Sequence, residues 1–243
     1  MPKLYADTDK YGYQSDFALV EAYNSAIRDL VRRRFAEAGG EWRDFVAGAA
    51  YDLITKKDMV QIERQLLDHG YRFQPSAMSS PIERPDAYKD SGLHDADFSF
   101  EHSEAPTAPP DADGRELRGA GDNVVPHPHN LVGIARYVRT SDKVMQYLNA
   151  GVPADTIAIV DDSGGTLTAP ILEKFTGVLC AGGTTRSHLA ILTREYGIPC
   201  FMNVRLAGIK DGQRIEVEVT ARTKTGEEYQ AGAASVARVW RLA

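Results

Sequence analysis

The sequence predicts an α/β protein: a strand-rich domain over residues 117–243, preceded by a small α-helical segment over 1–73 and a long acidic, proline-rich linker over 74–116. Three observations carry this. Apolar residues recur at helical spacing through the first 70 residues. The middle of the chain holds six of the twelve prolines: Pro75, Pro81, Pro85, Pro106, Pro109 and Pro110. Beyond it, short β-branched runs alternate with turns and only occasional helical stretches.

Residues 1–14 are polar and tyrosine-rich and read as a loosely held arm. A helix is expected from Ser15, with Val20, Tyr23, Ile27, Leu30, Val31 and Phe35 on one face, stopped by Gly39-Gly40. A second is expected from Glu41 to Ile54. A third follows Thr55, with Asp58 completing a start signal, and ends at Gly70. Three short amphipathic helices bury little area alone, so this segment is expected to dock or interact. Arg32-Arg33-Arg34 reads first as a solvated face and second as a docking patch for an acidic partner.

From Glu83 to Glu116, ten acidic residues stand against Arg84, Lys89 and Arg115. By composition this is a linker. If flexible, it reaches roughly 35 Å. An extended belt wrapped on the protein surface is the alternative.

In the strand-rich part, Leu117–Val125 and Leu131–Val138 are expected strands around a Pro-His-Pro-His turn. Ser141–Asn149 is an expected helix and Thr156–Val160 a strand. Pro170–Phe175 suits a helix before a strand at Val178. Ile209-Lys210-Asp211-Gly212 reads as a turn, Arg214–Thr220 as a strand, Thr225-Gly226 as a hairpin turn, and Ser235–Leu242 as a last strand or helix.

The stretch Val178–Val204 organises the rest. After the short run Val178-Leu179-Cys180, Gly182-Gly183 breaks the strand. Thr184, Thr185 and Ser187 supply hydroxyls suited to a helix N-cap. A helix from about Ser187 to Tyr196 ends at Gly197, with Pro199 just beyond. His188 falls in its first turn, where unpaired N–H groups and the helix dipole favour an anion. An imidazole there is placed to be a nucleophile toward phosphorus. A helix end contributes only about 0.3–1 kcal/mol. Rapid transfer therefore needs a second active site that presents the phosphoryl donor.

Gly-Gly, the hydroxyl run, Ser187-His188, the apolar helix with Arg194-Glu195, and Gly197-Ile198-Pro199 resemble the phosphohistidine motif of the phosphoenolpyruvate (PEP)-utilising enzymes. That family includes pyruvate phosphate dikinase, PEP synthase, rifampicin phosphotransferases and phenylphosphate synthase. The similarity covers about residues 117–243 and implies their swivelling β/β/α domain. It implies that His188 is the phosphorylated nucleophile; Gly183, Thr184, Thr185, Arg186 and Ser187 are expected to stabilise phosphate, and Arg194 reads first as structural and second as support for a phosphate. Three residues, not two, separate Gly183 from Ser187, and Arg186 stands where many relatives have Thr.

The implied function is a phosphohistidine carrier subunit of a split kinase- or dikinase-like phosphotransferase, inactive without partner subunits. No cofactor is expected to bind tightly. ATP or PEP, with Mg²⁺, is expected on an ATP-grasp or PEP-binding partner subunit of a multi-subunit complex, and the acceptor is a small molecule. The alternative is a swivelling-domain module that docks or regulates a partner without transferring phosphate.

Other chemistry is weaker. His127-Pro-His129 lacks further ligands in sequence, so no metal site is expected. Asp161-Asp162-Ser163-Gly164-Gly165 reads as a solvated turn before it reads as a cation or phosphate loop. No GxxxxGK[ST], GxGxxG or GxSxG pattern occurs. Net charge of −6 argues against nucleic acid. No apolar run spans a bilayer, and no apolar N-terminal signal is present. With two cysteines, Cys180 and Cys200, expected as free thiols, a reducing cytoplasm is the default.

Overall fold

The computed structural model describes residues 18–73, 80–88, 97–161 and 164–243. The expected N-terminal arm and Ser15 lie outside them. The chain divides into two units, residues 1–73 and 74–243.

The first unit is helical. Helix α1 (Ala18–Ala38) ends at Gly39 and Gly40, both in the left-handed region. The second expected helix is broken into α2 (Trp42–Asp44), a π-helical turn (Phe45–Ala49) and α3 (Ala50–Leu53). The turn coincides with an aromatic cluster in which the rings of Phe35, Trp42 and Phe45 lie 5.3–5.6 Å apart. Helix α4 (Lys56–Asp68) begins at Thr55, whose N–H and hydroxyl both donate to the Asp58 carboxylate, at 2.8 and 2.7 Å. Arg34 reaches the same carboxylate at 2.9 Å, so one member of the arginine run is committed to structure. Leu30, Ile62 and Leu66 form the small core.

The second unit is built on eight strands: β1 (Ser99–Glu101), β2 (Glu116–Asn123), β3 (Leu131–Tyr137), β4 (Thr156–Val160), β5 (Gly177–Cys180), β6 (Cys200–Lys210), β7 (Arg214–Val217) and β8 (Ala237–Arg241). Their order is β1-β6-β2-β8-β7-β3-β4-β5, and β5 also pairs with β6. That last pairing closes seven strands into a barrel and leaves β1 on β6. Strands β3, β4, β5 and β6 are parallel neighbours; the others join antiparallel. Parallel strands need crossovers. Helix α5 (Ser141–Ala150), a 3₁₀ helix (Ala169–Lys174) and α6 (His188–Glu195) supply them.

The period of two along each strand sorts two cores. Ile157, Ile159, Leu179 and Phe201 belong to one cluster with Leu206, Ile215 and Val239. Ala158, Val160, Val178, Cys180, Cys200 and Met202, one residue out of step, pack with Val144, Leu172, Leu189 and Ala190 of the crossover helices. Both cysteines are buried and form no disulfide, and burial pushes the Cys200 thiol up to about 12.

Of the two readings of the acidic stretch, the belt on the protein surface fits residues 80–88 and 97–116, which are fastened to the second unit. Ser80 donates to Asp142 at 2.7 Å and Ala87 is fully buried. Strand β1 pairs with β6, and Leu206 N–H donates to His102 Nδ1 at 2.9 Å. The acidic charge of this stretch is partly matched locally, as in Asp97 with Lys210 at 2.7 Å. Two other expectations are corrected. Thr225-Gly226 is not a hairpin turn. Thr225 caps α7 (Gly226–Gln230), accepting from Glu228 N–H at 3.2 Å while Glu228 accepts from Thr225 N–H at 2.9 Å. Threonine followed three residues later by glutamate is a helix-start signal that outweighs the turn propensity of the Thr-Gly pair. Strand β6 also runs further than expected, through Ile209 and Lys210, because it must pair with β5, β2 and β1 in succession. Among the described residues, no helix is long and apolar enough to cross a membrane.

Candidate functional site

Parallel strands carry their connecting loops at their carboxyl ends, where ligands of α/β sheets gather. Here β4 and β5 pair with Val160 opposite Cys180. Their two following loops, from Asp161 and from Ala181, therefore emerge side by side. Ala181 N–H donates to Val160 O at 2.8 Å. A side chain added at Gly182 would meet the Asp161 carbonyl at 3.4 Å.

The Ala181–Ser187 loop is held from several directions. Gly183 has φ of +70°, a conformation that disfavours residues with a Cβ. Asn203 N–H donates to Gly182 O at 3.2 Å, and Arg205 Nη1 to Ala181 O at 2.8 Å. Asn203 itself has φ of +50°, tolerable for asparagine. Arg194 Nη2 donates to Thr185 O at 3.1 Å, which ties the last turn of α6 back to the loop that precedes it.

Ser187 occupies the N-cap position of α6, but its hydroxyl does not cap the helix. It accepts from Thr184 N–H at 2.8 Å, and Thr184 Oγ1 in turn accepts from Arg186 N–H at 3.2 Å. Of the three hydroxyls expected at the cap, two are thus spent inside the loop. Ser187 O takes the first intrahelical bond, from Ile191 N–H at 3.1 Å. The N–H groups of His188, Leu189 and Ala190 lie ahead of that bond, in the turn that has no intrahelical acceptor.

His188 is the first residue of α6 and is exposed. Its neighbours Leu189 and Ala190 are fully buried and fix the helix on the sheet. Gly183, Thr184 and Arg186 are exposed, and Thr185 and Ser187 half-buried. All six sequence-predicted residues from Gly183 to His188 therefore share one loop and helix start, with Arg194 bonded to it.

Some supports were not legible in the sequence. Gly165, with φ of +71°, packs its backbone against α6: a Cβ there would meet Leu189 Cα at 3.3 Å. Asp161 and Gly165 thus neighbour the motif; Asp162 and Ser163 lie outside the described residues. Asp161 accepts from Arg139 Nε at 2.9 Å, while its Oδ1 is buried without a partner among the described residues. Arg205 and Asn203 come from β6, a strand away, and no local spacing points to them. His127 and His129 lie in the turn after β2, and no group of three or more candidate metal ligands occurs among the described residues.

Comparison with known families bears out the resemblance over part of the chain. Residues 152–222 match the family model described as PEP-utilising enzyme, mobile domain. The matched span runs from just before β4 to just after β7 and contains the whole loop and helix around His188. The family is one of PEP-utilising phosphotransferases, so this span links the chain to phosphoryl transfer. No curated protein shows significant similarity to the chain.

Proposed function

We propose that the protein is a phosphohistidine carrier, with His188 as the residue that takes the phosphoryl group. The observation that carries this is an exposed imidazole on the first residue of a helix whose own N-cap hydroxyl is turned away. It lies inside the span that matches the mobile domain. Neutral imidazole attacks phosphorus of the bound donor. An N–P bond forms as the P–O bond to the leaving group breaks, and the electron pair departs with that oxygen. In the second step an acceptor oxygen forms a new P–O bond, the N–P bond breaks and imidazole is regenerated. The first-turn N–H groups and the Gly183–Ser187 loop offer donors to the phosphoryl oxygens in between.

The donor is ATP or PEP on a partner subunit that also holds Mg²⁺, and the acceptor is a small molecule. In this reading the donor site lies outside the described residues, and residues 117–243 act as the carrier component of a split phosphotransferase. A second reading, a docking or regulatory module without transfer, rests on the longer spacing between Gly183 and Ser187 and on the engagement of both Thr184 and Ser187 hydroxyls within the loop.

Intact mass after incubation with cell extract and ATP or PEP decides between them. The carrier gains one phosphate that is acid-labile and base-stable, and His188→Ala gains none. A chain that stays unmodified with both donors, or a phosphate that survives in His188→Ala, rules the carrier out.

A further inference from the structure

Helix α7 lies beyond residues 152–222, the span that matches the mobile domain, yet it meets the loop that presents His188. Gly183, Thr184 and Asn203 share the wall of one cavity with Asp122, Tyr229 and Gly232. Asp122 stands on β2 and is 2 % exposed. Its Oδ1 accepts from Lys224 Nζ at 2.9 Å and from Ser235 Oγ at 2.6 Å. Lys224 precedes α7 and Ser235 follows it, so one buried carboxylate ties down both ends of the excursion. Lys224 also donates to Ala233 O at 2.6 Å and lies 5.2 Å from the Tyr229 ring centroid.

The Tyr229 hydroxyl is buried between Asp122 and Thr185 and hydrogen-bonds with both. Burial, first, pushes the phenol's pKa up; Thr185 pulls it down and the Asp122 carboxylate pushes it up again. A partner that lowers a phenol's pKa donates to its oxygen, and a carboxylate that raises it accepts its proton. Tyr229 therefore donates to Asp122 and accepts from Thr185. Arg194 Nη2 takes the Thr185 carbonyl at 3.1 Å. Thr185 is thus held from α6 on one side and from α7 on the other. The hydroxyls of Thr184 and Ser187 are already spent within the loop. The longer spacing between Gly183 and Ser187 gives this loop slack that such a brace removes.

We propose that Tyr229 is a positioning residue for phosphoryl transfer: α7, fastened to Asp122, holds Thr185 through the Tyr229 hydroxyl and so fixes the loop from which His188 meets its phosphate. The consequence for transfer rests on the carrier reading; the hold on Thr185 does not.

The test compares Tyr229→Phe with the parent as ¹⁵N-labelled full chains. Amide exchange at Thr185 and Arg186 is expected to quicken about two- to tenfold, the worth of one hydrogen bond, and exchange at Ile157 and Leu179 in the core to change less. Phosphate incorporation at His188, from cell extract with ATP or PEP, should slow several-fold and reach the same final extent. Thr185→Ala removes the side chain that Tyr229 meets. In the double variant the slowing should fall short of the product of the two single effects. Unchanged exchange at Thr185 and Arg186, equal quickening in the core, or single effects that multiply overturns the proposal. A parent that takes up no phosphate overturns the carrier reading instead, and the exchange rates still decide whether Tyr229 holds the loop.

Discussion

Ser187 Oγ accepts a hydrogen bond from Thr184 N–H at 2.8 Å, and so faces away from the helix whose N-cap position its residue occupies. The usual N-cap geometry satisfies one amide of the first helical turn. Here the hydroxyl braces the loop instead, and the amides around His188 stay available to an anion. Ser187→Ala should cost about 0.5–1.5 kcal/mol of stability, the worth of one hydrogen bond. Thermal unfolding measures that loss. Amide exchange at Thr184 should quicken, and phosphate incorporation should slow several-fold without vanishing, in contrast to His188→Ala.

Gly165 tests whether the loop after β4 positions α6. Its φ of +71° and its 3.3 Å approach to Leu189 Cα both oppose a side chain. Gly165→Ala should destabilise by about 1–3 kcal/mol, from left-handed backbone strain plus displaced contact. Denaturant unfolding gives the number. The incorporation rate at His188 should fall although no atom of the histidine changes.

His102 and Leu206 form a reciprocal pair. His102 N–H donates to Leu206 O at 3.0 Å, and Leu206 N–H donates to His102 Nδ1 at 2.9 Å. The ring stacks on Phe100 with centroids 4.8 Å apart. Burial, followed by the nearby Arg205 charge, holds the imidazole below its ordinary 6.5. A depressed pKa means that, below 6.5, the unfolded chain binds a proton that the folded chain resists. The pair's contribution is therefore complete above that pH and is lost as pH falls through the lower folded value. Exchange at the Leu206 amide should accelerate on acidification, and His102→Gln should remove that acceleration.

Glu228 anchors α7 and with it Tyr229. Arg222, first, and the Thr225 N–H, second, pull the Glu228 carboxyl down to about 2. Its support is present above the unfolded value near 4.5 and is lost as pH falls through about 2. The amide signals of Tyr229 and Ala231 should move in that window and not between pH 5 and 7, a range that leaves a carboxylate ionised. Glu228→Gln should fray α7 at neutral pH, read as faster exchange at the same amides.

Local chemistry made much of this protein readable. Thr55 with Asp58, the break at Gly39-Gly40, and the β-branched run Thr156–Val160 announced their elements because the forces that set them act within a few residues. The loop and helix around His188 were readable for the same reason. Failures came where distant partners decide. Residues 97–102 read as linker or belt by composition, yet β6 offers them an open edge, and Ser99–Glu101 pair along it with His102 bonded to Leu206. The aromatic contact of Phe35, Trp42 and Phe45 accompanies a π turn in a segment that reads as continuous helix.

By itself, the sequence determined that an imidazole opens a helix behind a glycine turn, since capping, glycine conformation and apolar spacing are local. Only the tertiary structure decided what surrounds it. Barrel closure through β5 and β6 brings Asn203 and Arg205 to the loop, packs Gly165 against Leu189, and sets Asp122 and Tyr229 in a cavity behind Thr184. Those neighbours lie tens of residues apart in the chain, and strand register, which no short window of sequence encodes, brings them together.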